Sequence, residues 1–537
     1  MKFNTKTKTV SRKKPDTVNF EGEPSYSKST ELDLYSLVVT ASLSDKFYET
    51  QTETINRLKE LITKTDPVFV CQLAIYCREQ MYLRSVPLVI VLELNKYLTE
   101  QNLRDPKNKM ISKVLTRIIQ RADEITETLA YYQKINEDNA HDVKVKGHKL
   151  KKKLCKLSKQ VQKGVADSFL KFDEYQFGKY SQDTEIKLKD ALFLTHPNPV
   201  MAAQEELFKK IASGTLAVPK TWEVELSKAG QDKKDKKIVW QELIDSNVMG
   251  YMATLRNLRN ILQAGVTQTH IIKVAKYLSD KEQVLKSKQF PFRFLSAYKE
   301  LIELNDIDLQ HKSMILEALE IAVTHSINNL QGFDYDTSIL IACDVSGSMQ
   351  HSISDKSKIE YYDIGLLLGM LVQSKCKNVI TGIFGDTWSV ETLPKTSILK
   401  NVIDLHRIEG KVGYSTNGYL ILEYLIKNKK SVDKIFMFTD CQLWNSSFDR
   451  TSSGRYRFNS SAYDSGNSYD TLWKEYKKIN PNAKLYLFDV SGYQTTPVRI
   501  NPDNVFLIAG WNEKVFDVLQ SIEKGEENLS KIKEIKW

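Results

Sequence analysis

The stretch Ser338-Ile-Leu-Ile-Ala-Cys-Asp-Val-Ser-Gly-Ser348 indicates both the fold and the chemistry of the C-terminal part of the chain. Its apolar run predicts a buried strand, and Asp344, Ser346 and Ser348 follow where that strand ends. Mg²⁺ takes near-octahedral oxygen ligands and usually keeps several waters, so a few protein oxygens from separate loops suffice to hold it. The stretch therefore predicts a divalent-cation site with a position open to a partner's oxygen.

Two further segments supply oxygens for the same site. Gly413-Tyr-Ser-Thr416 precedes an apolar helix, and Lys434-Ile-Phe-Met-Phe-Thr-Asp440 is a second apolar strand that ends in Thr and Asp. Because ligands of open parallel sheets bind outside the carboxyl ends of the strands, we expect Asp344 and Asp440 to lie side by side there. Taken singly, each segment is also explained by an ordinary turn or helix N-cap, where Ser and Asp are common.

The rest of the C-terminal part alternates between strands and helices. Short apolar runs predict further strands at residues 378–384, 483–489 and 504–509. Helical patterns separate these runs, at residues 359–374, 418–427, 469–478 and 514–524. The alternation predicts an α/β doubly wound, Rossmann-like domain, which we place at residues 331–537.

Upstream of residue 330 the pattern changes. Apolar residues recur at three- and four-residue spacing and strand-like runs are rare, which predicts an all-α domain over residues 30–330. Consecutive helices joined by short turns favour stacked helical hairpins, although no strict sequence period is visible. Residues 1–29 begin with a run of basic residues free of acidic ones, which predicts a flexible basic arm.

Composition limits the class of protein. The chain has 537 residues, too many for one ordinary core, and a hydrophobic content of 41% that is typical of globular proteins. Neither a long apolar run nor an apolar N-terminal region is present, so we expect no membrane span and no secretory signal. Six scattered cysteines without a Cys-x-x-Cys pair predict reduced thiols. These features together predict a cytoplasmic protein without a zinc site or a disulfide framework.

The net charge of +10 is concentrated in lysine clusters. Residues 144–163 carry many lysines and no acidic residue, and apolar residues recur there at helical spacing, which predicts a basic helix. Lysine lacks the bidentate fork of arginine, so this surface suits a phosphate backbone rather than base edges. A merely solvated face and an amphipathic helix on a membrane surface are alternatives. The lysines that we select as candidate RNA contacts are Lys149, Lys152, Lys153 and Lys156.

A long helical part followed by an Asp-x-Ser-x-Ser domain resembles the Ro autoantigen family, which combines a TROVE module with a von Willebrand factor A domain. Three helical motifs resemble that family as well: Lys189-Asp-Ala-Leu-Phe-Leu-Thr-His196, Ala253-Thr-Leu-Arg-Asn-Leu258 and Phe290-Pro-Phe-Arg-Phe294. The resemblance implies a HEAT-like helical-repeat ring closed by a von Willebrand factor A domain. It also implies a metal-ion-dependent adhesion site, with the ligands Asp344, Ser346, Ser348, Thr416 and Asp440 and with Ser415 as an alternative to Thr416.

The resemblance further implies which RNA is bound. Family members bind small noncoding Y RNAs on the outside of the ring and the single-stranded 3′ ends of misfolded RNA in its hole. By position in the motifs, Lys189 and His196 are the first candidate RNA contacts, followed by Arg256, Arg259 and Arg293. A structural role is the alternative in each case. His196 would then cap a helix C-terminus, and Arg256 and Arg259 would form packing contacts or ion pairs inside the domain.

These observations predict a non-enzymatic, monomeric RNA-binding ring that serves as a scaffold in a small ribonucleoprotein and in RNA quality control. The chain lacks the sequence motifs of nucleotide-binding loops, zinc proteases, zinc deaminases and serine hydrolases. No candidate base accompanies the predicted Mg²⁺ site, which argues against a nuclease. An exoribonuclease or another protein is the expected partner at that site. The alternative is a protein-interaction scaffold that uses the Mg²⁺-dependent site without RNA.

Overall fold

The computed structural model confirms a helical part followed by a sheet domain. It describes residues 15–40, 49–103, 109–137, 141–145, 148–180, 184–219, 221–232, 234–326, 337–354, 357–444, 469–500, 504–511, 514–523 and 529–537. The helical part contains α1 (Thr30–Val39), α2 (Gln51–Lys64), α3 (Pro67–Glu79), α4 (Ser85–Glu100), α5 (Met110–Ile118), α6 (Asp123–Ile135), α7 (Lys159–Phe169), α8 (Glu174–Lys179) and α9 (Leu188–Thr195). It continues with α10 (Ala202–Ser213), α11 (Trp222–Gln231), α12 (Lys236–Asp245), α13 (Tyr251–Arg256), α14 (Leu258–Gln263), α15 (Gln268–Ser279), α16 (Lys281–Ser287), α17 (Pro291–Ile302) and α18 (Leu309–His325).

Local sequence signals set the ends of these helices. Thr50 and Glu53 form a capping box at the start of α2, and Asp66 caps α3 ahead of a proline at its first position. Gly214 ends α10 in the left-handed conformation, with φ of 74°. The helices are thus delimited by side-chain chemistry, and packing decides how they stack.

Helix α3 shows why the helical part is a single packed body. Every residue from Phe69 to Arg78 is buried, as expected of a helix that is apolar all round. Its one buried cation is compensated, because Arg78 donates from Nη2 to both carboxylate oxygens of Glu124, at 2.8 and 2.9 Å. Helices α1, α4 and α5 pack around it.

The predicted basic helix at residues 144–163 is wrong. Strands β3 (His141–Val145) and β4 (His148–Leu154) form an antiparallel hairpin here, and α7 starts only at Lys159. Lys149, Lys152 and Lys153 therefore lie on β4, and Lys156 is exposed between β4 and α7. The sequence Val143-Lys-Val-Lys-Gly-His-Lys-Leu150 alternates with a period of two around a glycine, and this strand signal overrides the helical spacing of the leucines.

A six-stranded sheet forms the core of the C-terminal domain. Its strands are β5 (Ser338–Asp344), β6 (Asn378–Phe384), β7 (Trp388–Glu391), β8 (Lys434–Thr439), β9 (Lys484–Asp489) and β11 (Val505–Ala509), in the order β11-β9-β8-β5-β6-β7. All neighbours are parallel except the edge strand β7. The helices of this domain are α19 (Tyr361–Lys375), α20 (Ile398–Arg407), α21 (Tyr419–Lys427), α22 (Tyr469–Ile479) and α23 (Val515–Glu523). The doubly wound fold is thus confirmed, with the strand order reversing between β5 and β8.

The prediction of a flexible arm over residues 1–29 is wrong for the residues that the structure describes. Strands β1 (Thr17–Val18) and β2 (Pro24–Ser27) pair with each other, and β2 also pairs with β10 (Thr495–Thr496). Beyond β2, Lys28 Nζ lies 2.7 Å from Asp489 Oδ2, and both side chains are fully buried. Residues 1–14 of the predicted arm lie outside the described residues.

Both ends of the helical part contact the C-terminal domain and so close the ring. Near the first end, α1 packs against β11, and Arg57 of α2 donates to the carbonyl oxygen of Gly492 at 2.5 Å. At the other end, Glu320 of α18 accepts the first backbone N–H groups of α20, at 2.8 to 3.0 Å. A last helix, α24 (Ser530–Lys533), returns to α3, where Gln72 Nε2 donates to the carbonyl oxygen of Lys533 at 2.6 Å.

Two expectations from composition can be compared with the described ranges. Within them, no helix combines the length and the apolarity that crossing a membrane requires. All six cysteines are buried.

The buried pair of Lys28 and Asp489 gives a stability prediction. Replacing Lys28→Met should lower the free energy of unfolding in urea by about 3–5 kcal/mol, because it leaves a carboxylate buried without its cation. Lys64→Met is the matched control, because Lys64 pairs with Glu60 on the surface, where both side chains are more than half exposed. This control should change stability little. Equal losses in the two variants would contradict the assigned role of the buried pair.

Candidate metal centre and nucleic-acid interface

The sheet brings the predicted metal ligands to one edge. Asp344 ends β5 and Asp440 follows β8, its direct parallel neighbour. Thr416 lies on the segment before α21. The backbone N–H of Gly347 donates to the carbonyl oxygen of Tyr414 at 2.9 Å, which ties that segment to the first loop, defined here as residues 344–348. All five predicted ligands are at most 5% exposed.

Hydrogen bonds orient the side chains of the first loop. Asp344 Oδ1 accepts the backbone N–H of Ser346 at 3.0 Å, and its Oδ2 accepts the Thr439 hydroxyl at 2.6 Å. The hydroxyl oxygens of Ser346 and Ser348 lie 3.3 Å apart. Carboxylate and hydroxyl oxygens are thus held close together in this loop, and such oxygens are the ligand type that a small hard cation prefers.

Asp440 provides the test of whether a cation fits. Its Oδ1 accepts the backbone N–H of Gln442 at 2.9 Å, whereas its Oδ2 is buried without a hydrogen-bond partner among the described residues. Burial and repulsion from Asp344 raise the pKa of Asp440 well above its usual value, and burial also raises the pKa of Asp344. Two adjacent buried carboxylates with an unsatisfied oxygen need positive charge, so these residues fit a divalent cation.

Hydroxyl oxygens are essential to this fit. Among the described residues, no three His, Cys, Asp or Glu side chains come together in a group that could hold a metal ion. The hydroxyl of Thr416 donates its proton to the carbonyl oxygen of Gln442 at 3.0 Å, which leaves the lone pairs of its oxygen available. Ser415 is only half-buried, and its backbone N–H donates to Asp386 Oδ1 at 2.8 Å. Of the two alternatives, Thr416 has the better placed hydroxyl.

Sequence reasoning missed the residues that position these ligands. Thr439 holds Asp344, and Gln442 contacts both Asp440 and Thr416. Cys441 between them has φ of 64°, a left-handed conformation that is costly for a residue with a Cβ and is often found at functional sites. The hydroxyl directly before Asp440 was the available signal for Thr439, and no local signal marked Gln442.

A second candidate site is a cavity of about 1500 Å³ between the first and the last helices of the ring. Its walls come from the α3–α4 connection with the adjoining helix ends, the α5–α6 connection, α13 with α14, and the α16–α17 connection with α17. Glu79 and Glu300 are its acidic lining residues. The basic lining residues are Arg78, Arg84, Arg121, Arg256, Arg259, Lys288 and Arg293.

All three arginines predicted from the helical motifs line this cavity. Arg259 Nη1 lies 3.6 Å from Glu300 Oε2, so the charge of Arg259 is partly compensated. Arg256 and Arg293 are exposed and have no carboxylate partner among the described residues. Partial burial and repulsion from Arg256 lower the pKa of Arg293. This pair of uncompensated cations is a favourable place for an anion.

Lys189 and His196 lie elsewhere, at the two ends of α9, and do not line the cavity. Both side chains are exposed. His196 does end the helix, with φ of 48°. Its backbone N–H, and not its imidazole, makes the capping hydrogen bond, to the carbonyl oxygen of Leu192 at 3.0 Å. Its imidazole thus remains available at the surface. The structure therefore divides these predicted RNA contacts into two sets. The interior set lines the cavity and contains Arg256, Arg259 and Arg293, whereas the outer set contains Lys189 and His196.

The sequence model of the TROVE domain matches residues 25–218 and 214–341, more than half of the chain. This chain belongs to the TROVE domain family. The crystal structure of the Deinococcus radiodurans Ro (RSR) protein superimposes on this TROVE chain with a TM-score of 0.57 and 16% identity, covering 93% of this chain and 100% of that one. This likeness confirms the ring followed by a von Willebrand factor A domain.

Curated relatives share a shorter segment with the TROVE chain. Telomerase protein component 1 of Mus musculus is 44% identical over 89 residues, and that of Rattus norvegicus is 44% identical over 86 residues. The matched segments span 17% and 16% of this chain but only 3% of each relative. The resemblance to the Ro autoantigen family is confirmed, and the family supports an RNA-binding, ribonucleoprotein function.

The unsatisfied Asp440 oxygen gives a prediction for the metal-free protein. Because folding raises the pKa of Asp440 to about 8, the folded state keeps a proton that the unfolded chain has released, so stability falls as the pH rises from about 4 to about 8. Asp440→Asn should remove part of this fall and raise the melting temperature in chelator at high pH by about 3 °C.

The matched control is Asp308→Asn. Asp308 is an exposed N-cap of α18, and asparagine caps a helix equally well. Over the same pH range, its melting temperature should show the same dependence on pH as that of the wild type. A similar gain in both variants would show that the effect does not come from the carboxylate pair.

Proposed function

We propose that this chain is the RNA-binding ring of a small ribonucleoprotein and a scaffold for RNA quality control. In this proposal, Y-like small noncoding RNA binds the outer surface of the ring, and the single-stranded 3′ ends of misfolded RNA enter the cavity. The uncompensated Arg256 and Arg293 in the cavity are the observation that carries the proposal. The ring would act as a cytoplasmic monomer without catalysis of its own.

The chemistry of the cavity suits a single strand. Basic side chains on several walls can follow a phosphate backbone, and guanidinium groups bind phosphate oxygens in pairs. Tyr82 and Phe290 add aromatic surface in the same cavity, on which unpaired bases can stack. Neither contact type reads base edges, so such a site would accept ends of many sequences.

The outer set of residues suits a folded RNA. Lys189 and His196 are exposed seven residues apart on one side of α9, a separation of about 10 Å along the helix axis. Lys156 is exposed as well, and Lys149, Lys152 and Lys153 lie on the hairpin strand β4. Cationic contacts that come from separate elements favour an RNA of fixed shape over a threaded strand.

The metal centre would serve a partner. We propose that Asp344, Ser346, Ser348, Thr416 and Asp440 hold Mg²⁺, which supplies a coordination position for an oxygen of another molecule. A carboxylate of an exoribonuclease or of another protein is the ligand that this position suits. A scaffold that binds only proteins through this site is the alternative function, and absence of RNA from the protein purified from its own cells would favour it.

Charge removal in the cavity tests the RNA proposal. The double variant Arg256→Gln, Arg293→Gln should weaken binding of a single-stranded oligonucleotide by about tenfold or more and lower the slope of log affinity against log salt by about 1.4, since two phosphate contacts are lost. Fluorescence anisotropy over a salt series measures both quantities. The control is Arg407→Gln, because Arg407 lies on α20 and its side chain is more than half exposed. This variant should behave like the wild type. Unchanged affinity in the double variant would exclude the cavity as the single-strand site.

Removal of the first metal ligand tests the division of labour. Asp344→Ala should abolish Mg²⁺ binding in calorimetry, because it removes a carboxylate that the cation requires. RNA affinity should stay within about twofold of the wild type, because the RNA contacts lie on the helical part. A large loss of RNA binding would mean that the metal site takes part in RNA recognition directly.

A further inference from the structure

Gln442, which is completely buried, links the candidate metal ligands to the N-terminal segment, defined here as residues 15–28. Its backbone N–H holds Asp440 Oδ1 at 2.9 Å, and its carbonyl oxygen accepts the Thr416 hydroxyl at 3.0 Å. Its side-chain Oε1 accepts the backbone N–H of Phe20 at 3.0 Å. The orientation of two metal ligands and the position of the N-terminal segment therefore depend on the same residue.

Asn19 makes a second link at the next residue. Its Nδ2 donates to the carbonyl oxygen of Leu443 at 2.8 Å, and its Oδ1 accepts the backbone N–H of Glu23 at 2.9 Å. Asn19 is only 5% exposed, so water cannot easily replace a hydrogen bond that is lost here. Breaking the bond would leave a buried polar group unsatisfied, which costs free energy. The loop after Asp440 is thus held from outside at two consecutive residues.

The held loop has little freedom to shift. A Cβ on Gly418, two residues after Thr416, would lie 2.9 Å from the Leu443 side chain, so the two metal-bearing loops are in tight contact. Close-packed groups transmit small displacements instead of absorbing them. A movement of Leu443 would therefore change the position of Thr416.

The N-terminal segment has further anchors besides its bonds to Gln442 and Leu443. Strand β2 pairs with β10, and Lys28 forms its fully buried ion pair with Asp489. The segment can therefore act as a fixed support for the loop that carries Asp440.

We propose that the N-terminal segment supplies positioning residues for the metal centre, with Asn19 as the principal one. The inference rests on the proposal that this centre holds Mg²⁺, and it adds that the affinity for the ion depends on a segment more than 400 residues away along the chain. Groups that orient metal ligands from behind typically change metal affinity by about 10- to 100-fold. By thermodynamic reciprocity, a bound cation stabilises the docked N-terminal segment to the same degree.

The test compares two buried asparagines in the full-length protein. Asn19→Asp keeps the acceptor for Glu23 but loses the donor to Leu443, and it should weaken Mg²⁺ binding by about tenfold in calorimetry. Asn401→Asp is the matched control, because Asn401 is 1% exposed and donates from Nδ2 to the carbonyl oxygen of Pro394 at 2.6 Å, on the α20 side of the domain. This control should lose stability but keep the wild-type Mg²⁺ affinity.

A second measurement requires no variant of Asn19. Mg²⁺ should slow amide hydrogen exchange of residues 16–28 in the wild type and leave it unchanged in Asp440→Asn. Wild-type Mg²⁺ binding with equal affinity in Asn19→Asp, or without any change in exchange at residues 16–28, would overturn the inference and leave the metal centre standing. A wild type that binds no Mg²⁺ would overturn the proposed metal centre and the inference with it.

Discussion

The buried ion pair between Lys28 and Asp489 is the interaction on which the architecture depends most. It joins the N-terminal segment to the end of β9, at the same edge of the sheet as the candidate metal ligands. A lysine without solvent contact is tolerable only when a carboxylate compensates it, so the pair fixes the segment in one position. Arg57 adds a hydrogen bond to Gly492 nearby, and the helical ring begins from this fixed point.

Uncompensated charge marks the two candidate sites, in contrast to the paired charges elsewhere. Arg78 and Lys28 are buried with carboxylate partners, as stability requires. Asp440 has a buried oxygen that no described residue hydrogen-bonds, and Arg256 and Arg293 repel each other in the cavity. Each arrangement costs stability in the free protein, and each would be relieved by a ligand of opposite charge. One site thus calls for a cation and the other for an anion such as phosphate.

The predictions that succeeded depended on short-range patterns. The strands at Ser338–Asp344 and Asn378–Phe384 were predicted from short apolar runs, and the helical part from a spacing maintained over many turns. The region of the hairpin β3–β4 was wrongly predicted as a helix, because its leucines recur at helical spacing. The alternation of its valines and lysines, which favours a strand, was the signal that should have decided. The ordered N-terminal segment was missed, since β2 is only four residues long and its partner β10 lies more than 450 residues away.

The sequence by itself determined the two-part architecture, the family and the candidate metal ligands, because each depends on residue types within one strand, one helix or one motif. The three cavity arginines could likewise be named from their motifs. Only the tertiary structure decided that, within the described ranges, Arg259 has a compensating carboxylate and Arg256 and Arg293 have none. It alone also showed that Gln442 and Asn19 support the loop after Asp440. Charge compensation and burial depend on which distant segments meet in space, and a local pattern of residues carries no information about that.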